Sequence, residues 1–215
     1  MPSLAAAYER LLEGGLGLEA HKGRGGFIFR RGEYAGAEVT ASLSGIGKVN
    51  SAICAAAMIE EFDLDCLVST GVCGTLRADG SIVQKDLILA SSVIYHDVWC
   101  GTPNAFGQVQ GGPPFYDLSL PGIRGLESAL SGLGYTVHTG RMASGDWFVD
   151  SAQKAAMNGS TLGRLTRMSI VVAVSPPILS LRETYIPLRS FVWSIVNDAI
   201  FSIRVMLKSN DPERL

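Results

Sequence analysis

Apolar and polar positions along this chain follow two different periods, and the switches between them divide it into elements. Leu4, Tyr8, Leu11 and Leu12 share one face of a helix predicted over 4–13, which Gly14-Gly15 stop. Phe27–Arg30 and Glu38–Leu43 read as short strands, the second alternating through Val39, Ala41 and Leu43, with Gly32 and Gly36 bracketing the turn between them. Ser44-Gly45-Ile46-Gly47 is a glycine loop. A helix follows over Lys48–Phe62, with Val49, Ile53, Ala56 and Ile59 on one stripe. Leu67-Val68 form a short buried strand that runs into the loop Gly71–Gly74, and Asp86–Ala90 is another buried strand. Ile123, Leu126, Leu130 and Leu133 mark an amphipathic helix over 122–133. Tyr135–Ala143 is the next strand and ends at Ser144-Gly145-Asp146. Strands alternating with helices predict an α/β fold around a central sheet. There are no repeats, linkers or low-complexity segments, so residues 1–215 read as a single domain.

Composition narrows the function classes. Apolar residues make up 47% and charged residues 18% of 215, a balance that buries a core rather than staying disordered. A net charge of −2 gives no electrostatic footprint for nucleic acid or for an anionic membrane. The N-terminus lacks the basic and apolar regions of a signal peptide, and the apolar stretch 168–181 is too short to span a bilayer and is broken by Pro176-Pro177. Cys54, Cys66, Cys73 and Cys100 have no metal-binding spacing, and free thiols suit a cytoplasmic location.

In open α/β sheets, sites form at the carboxyl ends of strands. The loops 44–47, 71–74 and 144–146 all fall there. The ordered blocks SGIGKVNSA, STGVCG, YHDVWCGTPNAFGQVQGGPPF and ASGDWFVD resemble the 5′-methylthioadenosine/S-adenosylhomocysteine nucleosidase family, most strongly over 30–152. The resemblance implies a nucleoside phosphorylase-type three-layer α/β/α sandwich with a central mixed sheet. It implies hydrolysis of the N-glycosidic bond of those two nucleosides to adenine and a 5-substituted ribose. A role in methionine salvage and purine nucleoside metabolism would follow. It also implies a homodimer, in which 100–114 reaches the neighbour's pocket and the apolar Trp99, Phe106, Pro113, Pro114 and Phe115 suit an interface core, and neither metal nor organic cofactor.

Such chemistry needs an acid to protonate the purine N7 and an activated water to meet an oxocarbenium-like ribose, preferably in a dry cleft. By resemblance Ile46, Cys73, Gly74, Phe148, Val149 and Met168 bind the nucleoside. Gly74 lets the backbone approach the ligand, and Phe148 packs on the purine. His96-Asp97 is expected to be a hydrogen-bonded structural pair, and Asp146 to cap or fix its loop.

The sequence departs from the family at both ends. The initial IGIIGAMEEE-type strand has no counterpart, and Glu9 lies near the place of its water-activating glutamate. The family's VEMES-like stretch is matched only by Met168-Ser169. Its aspartate-bearing stretch is matched by Ile186-Pro187 and Asn197-Asp198-Ala199, which makes Asp198 the candidate general acid. Two alternatives therefore stand beside the active hydrolase. One is a catalytically impaired nucleoside-binding relative, the product of a truncated or frameshifted gene. The other is a phosphorylase, which would need an arginine-built phosphate site; Arg30 and Arg31 instead sit in an apparent hairpin.

Overall fold

A computed structural model describes residues 10–34, 36–62, 66–77, 79–118, 123–150, 171–173, 189–196 and 202–209. Within them the chain forms ten strands and two α-helices. The strands are β1 (Glu19–Lys22), β2 (Ile28–Tyr34), β3 (Ala37–Leu43), β4 (Cys66–Thr75), β5 (Leu87–Tyr95), β6 (Tyr116–Asp117), β7 (Val137–Ser144), β8 (Val171–Ala173), β9 (Arg189–Val196) and β10 (Ser202–Ser209). The helices are α1 (Lys48–Glu61) and α2 (Ile123–Gly132); Leu11–Gly15 add a single π-helical turn. All strands join one mixed sheet in the order β1-β2-β3-β10-β4-β8-β7-β5-β6. β9 pairs in parallel with β4 and antiparallel with β5, so β4, β9, β5, β7 and β8 close into a ring.

Several boundaries differ from those expected. Gly32 is not a turn residue: it pairs with Val39 inside the β2–β3 hairpin. A Cβ there would lie 2.8 Å from Leu18 Cδ2, so the glycine serves close packing, while Gly36 takes the turn with φ of 82°. Gly71–Gly74 is likewise strand, not loop: it extends β4 against β9 and β8. β9 and β10 lie in a tail for which the sequence predicts no strand. β10 nevertheless bridges β3 and β4 along almost its whole length.

Helix α1 also presents a different face from the one its branched residues suggested. Val49 and Ile53 are exposed, at 67% and 49%, whereas Ser51, Cys54, Ala55 and Met58 are buried. The inward side carries small residues because the helix lies close over Phe29 and Leu67, which share its core cluster. A second cluster joins Cys73, Ile88, Ala90, Val93, Leu118 and Met142, and a third joins Leu76, Ile94 and Ala143 with Phe106 and Val149. The third cluster lies where the ends of β4, β5 and β7 meet, and it holds one side of the site.

Candidate functional site

The carboxyl ends of β5 and β7 run side by side, with Ile94 opposite Ala143 and Tyr95 opposite Ser144. The pairing continues beyond the strands, because His96 N donates to Ser144 O at 2.9 Å. On the other side of β7, Ala143 pairs with Val172 of β8, which pairs with Gly74 of β4. Gly74, Ala143 and Ile94 therefore lie in one row across the sheet. The motif blocks around STGVCG, YHD and SGDWF thus open at one edge of the molecule.

The fourth block joins them through charge. Gly47, with φ of 94°, precedes α1 and gives it no side-chain cap. Asp146 supplies one from far along the sequence: its Oδ1 accepts Lys48 N–H at 2.7 Å. A carboxylate at a helix N-terminus satisfies an otherwise unpaired amide and suits the helix dipole. The capping role expected of Asp146 is thus what the structure contains. Lys48 Nζ donates to Asp97 Oδ2 at 2.8 Å and lies 3.7 Å from Asp146 Oδ2. Asp146 N–H donates to the same Asp97 oxygen at 2.7 Å. Lys48, read from the sequence only as the start of a helix, is the cation that binds the two acidic loops together.

The expected hydrogen bond between His96 and Asp97 is absent. Asp97 is engaged by Lys48 and Asp146, and neither ring nitrogen of His96 has a hydrogen-bond partner among the described residues. His96 is fully buried, and its ring lies 6.2 Å from that of Trp147. Burial holds its imidazole below the ordinary value of 6.5; the Asp97 and Asp146 carboxylates oppose that shift and the Lys48 ammonium reinforces it. The unfolded chain therefore takes up this proton first as pH falls. The stabilisation from a neutral His96 is complete above about pH 6.5 and is lost below it, by at most about 1.4 kcal/mol per pH unit. Thermal melts between pH 7.5 and 5.5 should show stability falling with acid, and falling less steeply in His96→Phe. An identical slope in the two proteins would exclude this origin.

Beside this cluster Tyr95 is partly buried, and Lys48 Nζ lies 5.3 Å from its ring centre. Burial, followed by the charges of Tyr116, Asp97 and Asp146, pushes its hydroxyl up to about 12, so it stays protonated.

Of the residues assigned to nucleoside binding, the structure brings several to this edge. Ile46 and Phe148 are exposed, at 46% and 57%, flanking the Lys48–Asp146 contact in sequence. Val149 packs against the cluster of Leu76, Ile94 and Ala143, which anchors its loop. Gly74 ends the row described above. The Cys73 side chain is buried in the core with Ile88 and Met142, so what it can offer a ligand is its backbone. Glu9, Met168 and Asp198 lie outside the described residues. Among the described residues no group of His, Cys, Asp and Glu could hold a metal ion.

Residues 2–171 match the family model described as the phosphorylase superfamily. The chain belongs to the phosphorylase superfamily. Within it the chain is similar to nucleosidases. The chain is 30% identical to the 5′-methylthioadenosine/S-adenosylhomocysteine nucleosidase of Colwellia psychrerythraea over 77% of its own length and 70% of the relative's. It is 33% identical to the enzyme of the same name from Staphylococcus haemolyticus over 59% of its length, a match that spans just 55% of that relative. Among solved structures, the Neisseria meningitidis nucleosidase in complex with methylthio-immucillin-A superposes with a TM-score of 0.76 at 26% identity, covering 88% of this chain and 82% of that one. The mixed sheet is that of the nucleoside phosphorylase-type α/β fold, as the motif order led us to expect. The superfamily match begins well before residue 30 and extends past 152, so it is broader than the sequence blocks indicated.

Proposed function

We propose that this phosphorylase-superfamily chain hydrolyses the N-glycosidic bond of 5′-methylthioadenosine and S-adenosylhomocysteine, releasing adenine and a 5-substituted ribose. The observation that carries the reading is the convergence of the blocks at 44–48, 95–97 and 144–149, tied by Lys48, with Gly74 in one row with Ala143 and Ile94. In this reading Ile46, Gly74, Phe148 and Val149 form the front wall of the pocket, with Cys73 contributing backbone. Met168 is assigned to nucleoside binding by its match to the family motif. Asp198 protonates the purine and Glu9 activates water.

Hydrolysis fits better than phosphorolysis. A phosphate site needs free cations or unpaired helix-terminal amides. Here the α1 terminus and Lys48 are already engaged by two carboxylates. Arg30 donates to Glu13 at 2.7 Å, and Arg31 pairs with Glu38. Adenine release from methylthioadenosine, followed by absorbance, should proceed at the same rate with and without inorganic phosphate, and should cease in Asp198→Asn. Nucleoside binding without release by the unmodified protein would instead establish the catalytically impaired relative. A rate proportional to phosphate would establish the phosphorylase.

The reading extends to a cytoplasmic homodimer. Cys54, Cys73 and Cys100 are free, and no helix among the described residues is long and apolar enough to cross a membrane. Trp99 is 58% exposed and stacks on Phe106 at 6.0 Å, a surface suited to the core of an interface. Methionine salvage and purine nucleoside metabolism are the setting this activity would serve.

A further inference from the structure

We infer that Asp146 is a positioning residue for nucleoside binding: it locks the loop 145–149 to the N-terminus of α1, and thereby sets the distance between Phe148 and Ile46. The inference rests on the nucleosidase reading for the identity of the ligand, and on the contacts of Asp146 with Lys48 and Asp97 for the lock itself.

The lock has three contacts. Asp146 Oδ1 accepts from Lys48 N–H at 2.7 Å, its own N–H donates to Asp97 Oδ2 at 2.7 Å, and its Oδ2 lies 3.7 Å from Lys48 Nζ. Two of these use the carboxylate and one uses the backbone. The side chain therefore joins the loop to α1, while the amide joins it to the end of β5. Ile46 lies two residues before Lys48, and Phe148 two residues after Asp146. Neither is buried, so core packing does not fix either one. Glycines flank the lock on both sides: a Cβ on Gly47 would meet Asp146 Oδ1 at 3.3 Å, and one on Gly145 would meet Asp97 Cγ at 2.6 Å. The sequence keeps side chains away from the place where the loops touch. A carboxylate engaged only in solubility would need no such clearance.

Asp146 is itself 46% exposed on its side chain and belongs to no core cluster, so its removal need not unfold the protein. What it removes is the tie between two walls of a pocket. Side chains held by a capped, ion-paired loop bind without a further ordering cost; side chains on a loose loop must first be ordered.

The test compares the full chain with Asp146→Ala and Asp146→Asn, using adenine binding by calorimetry and hydrogen exchange of the amides in 145–149. In Asp146→Ala we expect adenine affinity to fall about tenfold, exchange in 145–149 to quicken, and the melting temperature to change little. Asp146→Asn keeps an amide oxygen that can cap Lys48 N–H, and should recover most of the affinity. Unchanged exchange in 145–149 of Asp146→Ala would overturn the lock, whatever ligand the protein takes. Quickened exchange with unchanged adenine affinity would overturn the positioning role. If the unmodified protein binds no adenine, the nucleosidase reading fails, and the exchange measurement still decides the lock.

Discussion

Gly145→Ala should cost this protein both stability and about two orders of magnitude in turnover of methylthioadenosine. The added Cβ would sit 2.6 Å from Asp97 Cγ, 2.7 Å from Asp97 Oδ2 and 2.7 Å from His96 Cε1. Real carbon atoms do not approach so closely, so something must move. His96 is fully buried and has nowhere to go. Asp97 Oδ2 is held by Lys48 Nζ and by Asp146 N–H, so its retreat breaks both hydrogen bonds. The remaining escape is outward movement of the loop that carries Trp147, Phe148 and Val149. Overpacking of this kind costs about 1–3 kcal/mol, which in a domain of this size lowers the melting temperature by roughly 2–4 °C per kcal/mol. A displacement of about 1 Å in a binding wall is enough for a rate loss of about 100-fold. Melting curves and adenine-release kinetics on the same preparation measure both effects. A Gly145→Ala protein with unchanged kcat/KM would show that the loop does not depend on this close approach.

The glycine also shows what could be read from the chain and what could not. Two glycine-bearing segments at strand ends, 44–47 and 144–146, are legible, because turn chemistry and period switches are local. The α/β class followed from the same alternation. Which of the chain's other glycines are turns is not legible. Gly71 and Gly74 sit within β4, and Gly32 within β2, because strand pairing with distant partners overrides a local preference for turns. The inward face of α1 was misjudged for a related reason. Its branched residues form the more obvious stripe, but the residues buried with Phe29 and Leu67 are Cys54, Ala55, Ala57 and Met58. β9 and β10 illustrate the limit most clearly: their place beside β4 is a contact across more than a hundred residues, and no periodic signal in 189–209 names that partner.

The site divides along the same line. Ile46, Gly74, Phe148 and Val149 are proposed for the site from motif order. Lys48, which ties Asp97 to Asp146, carries no such signal, since a lysine at the first turn of a helix is usually a solvated charge. Its meaning appears only when Asp97 and Asp146, 49 and 98 residues away, are brought against it. Asp146 was read correctly as a cap, yet the helix it caps belongs to a different block of sequence.

Asp97→Ala is expected to have the second large effect, and a double-mutant cycle with Lys48 is the measurement that isolates it. The Asp97 side chain is 5% exposed and accepts two hydrogen bonds, one from an ammonium and one from the Asp146 amide. Hydrogen bonds to a charged group contribute about 1.5–3 kcal/mol each. Lys48 keeps some access to water, at 26% exposure, and can recover part of the loss through hydration. The net destabilisation should therefore be about 2–3 kcal/mol. Lys48→Met alone strands the buried carboxylate instead and should be of similar size. Once Asp97 is gone, however, the lysine has lost its nearest partner, and replacing it should cost far less. The double variant should accordingly be more stable than the sum of the single losses predicts, by at least about 1 kcal/mol. Strict additivity would mean that the two groups act independently, and the clasp between α1 and the strand ends would then have no energetic reality. The same cycle followed through adenine release distinguishes a fold effect from a site effect. Stability recovered in the double variant without recovered turnover would identify the charge pair as an element of the pocket's geometry, because methionine can fill the space of lysine but has no ammonium to pair with Asp146.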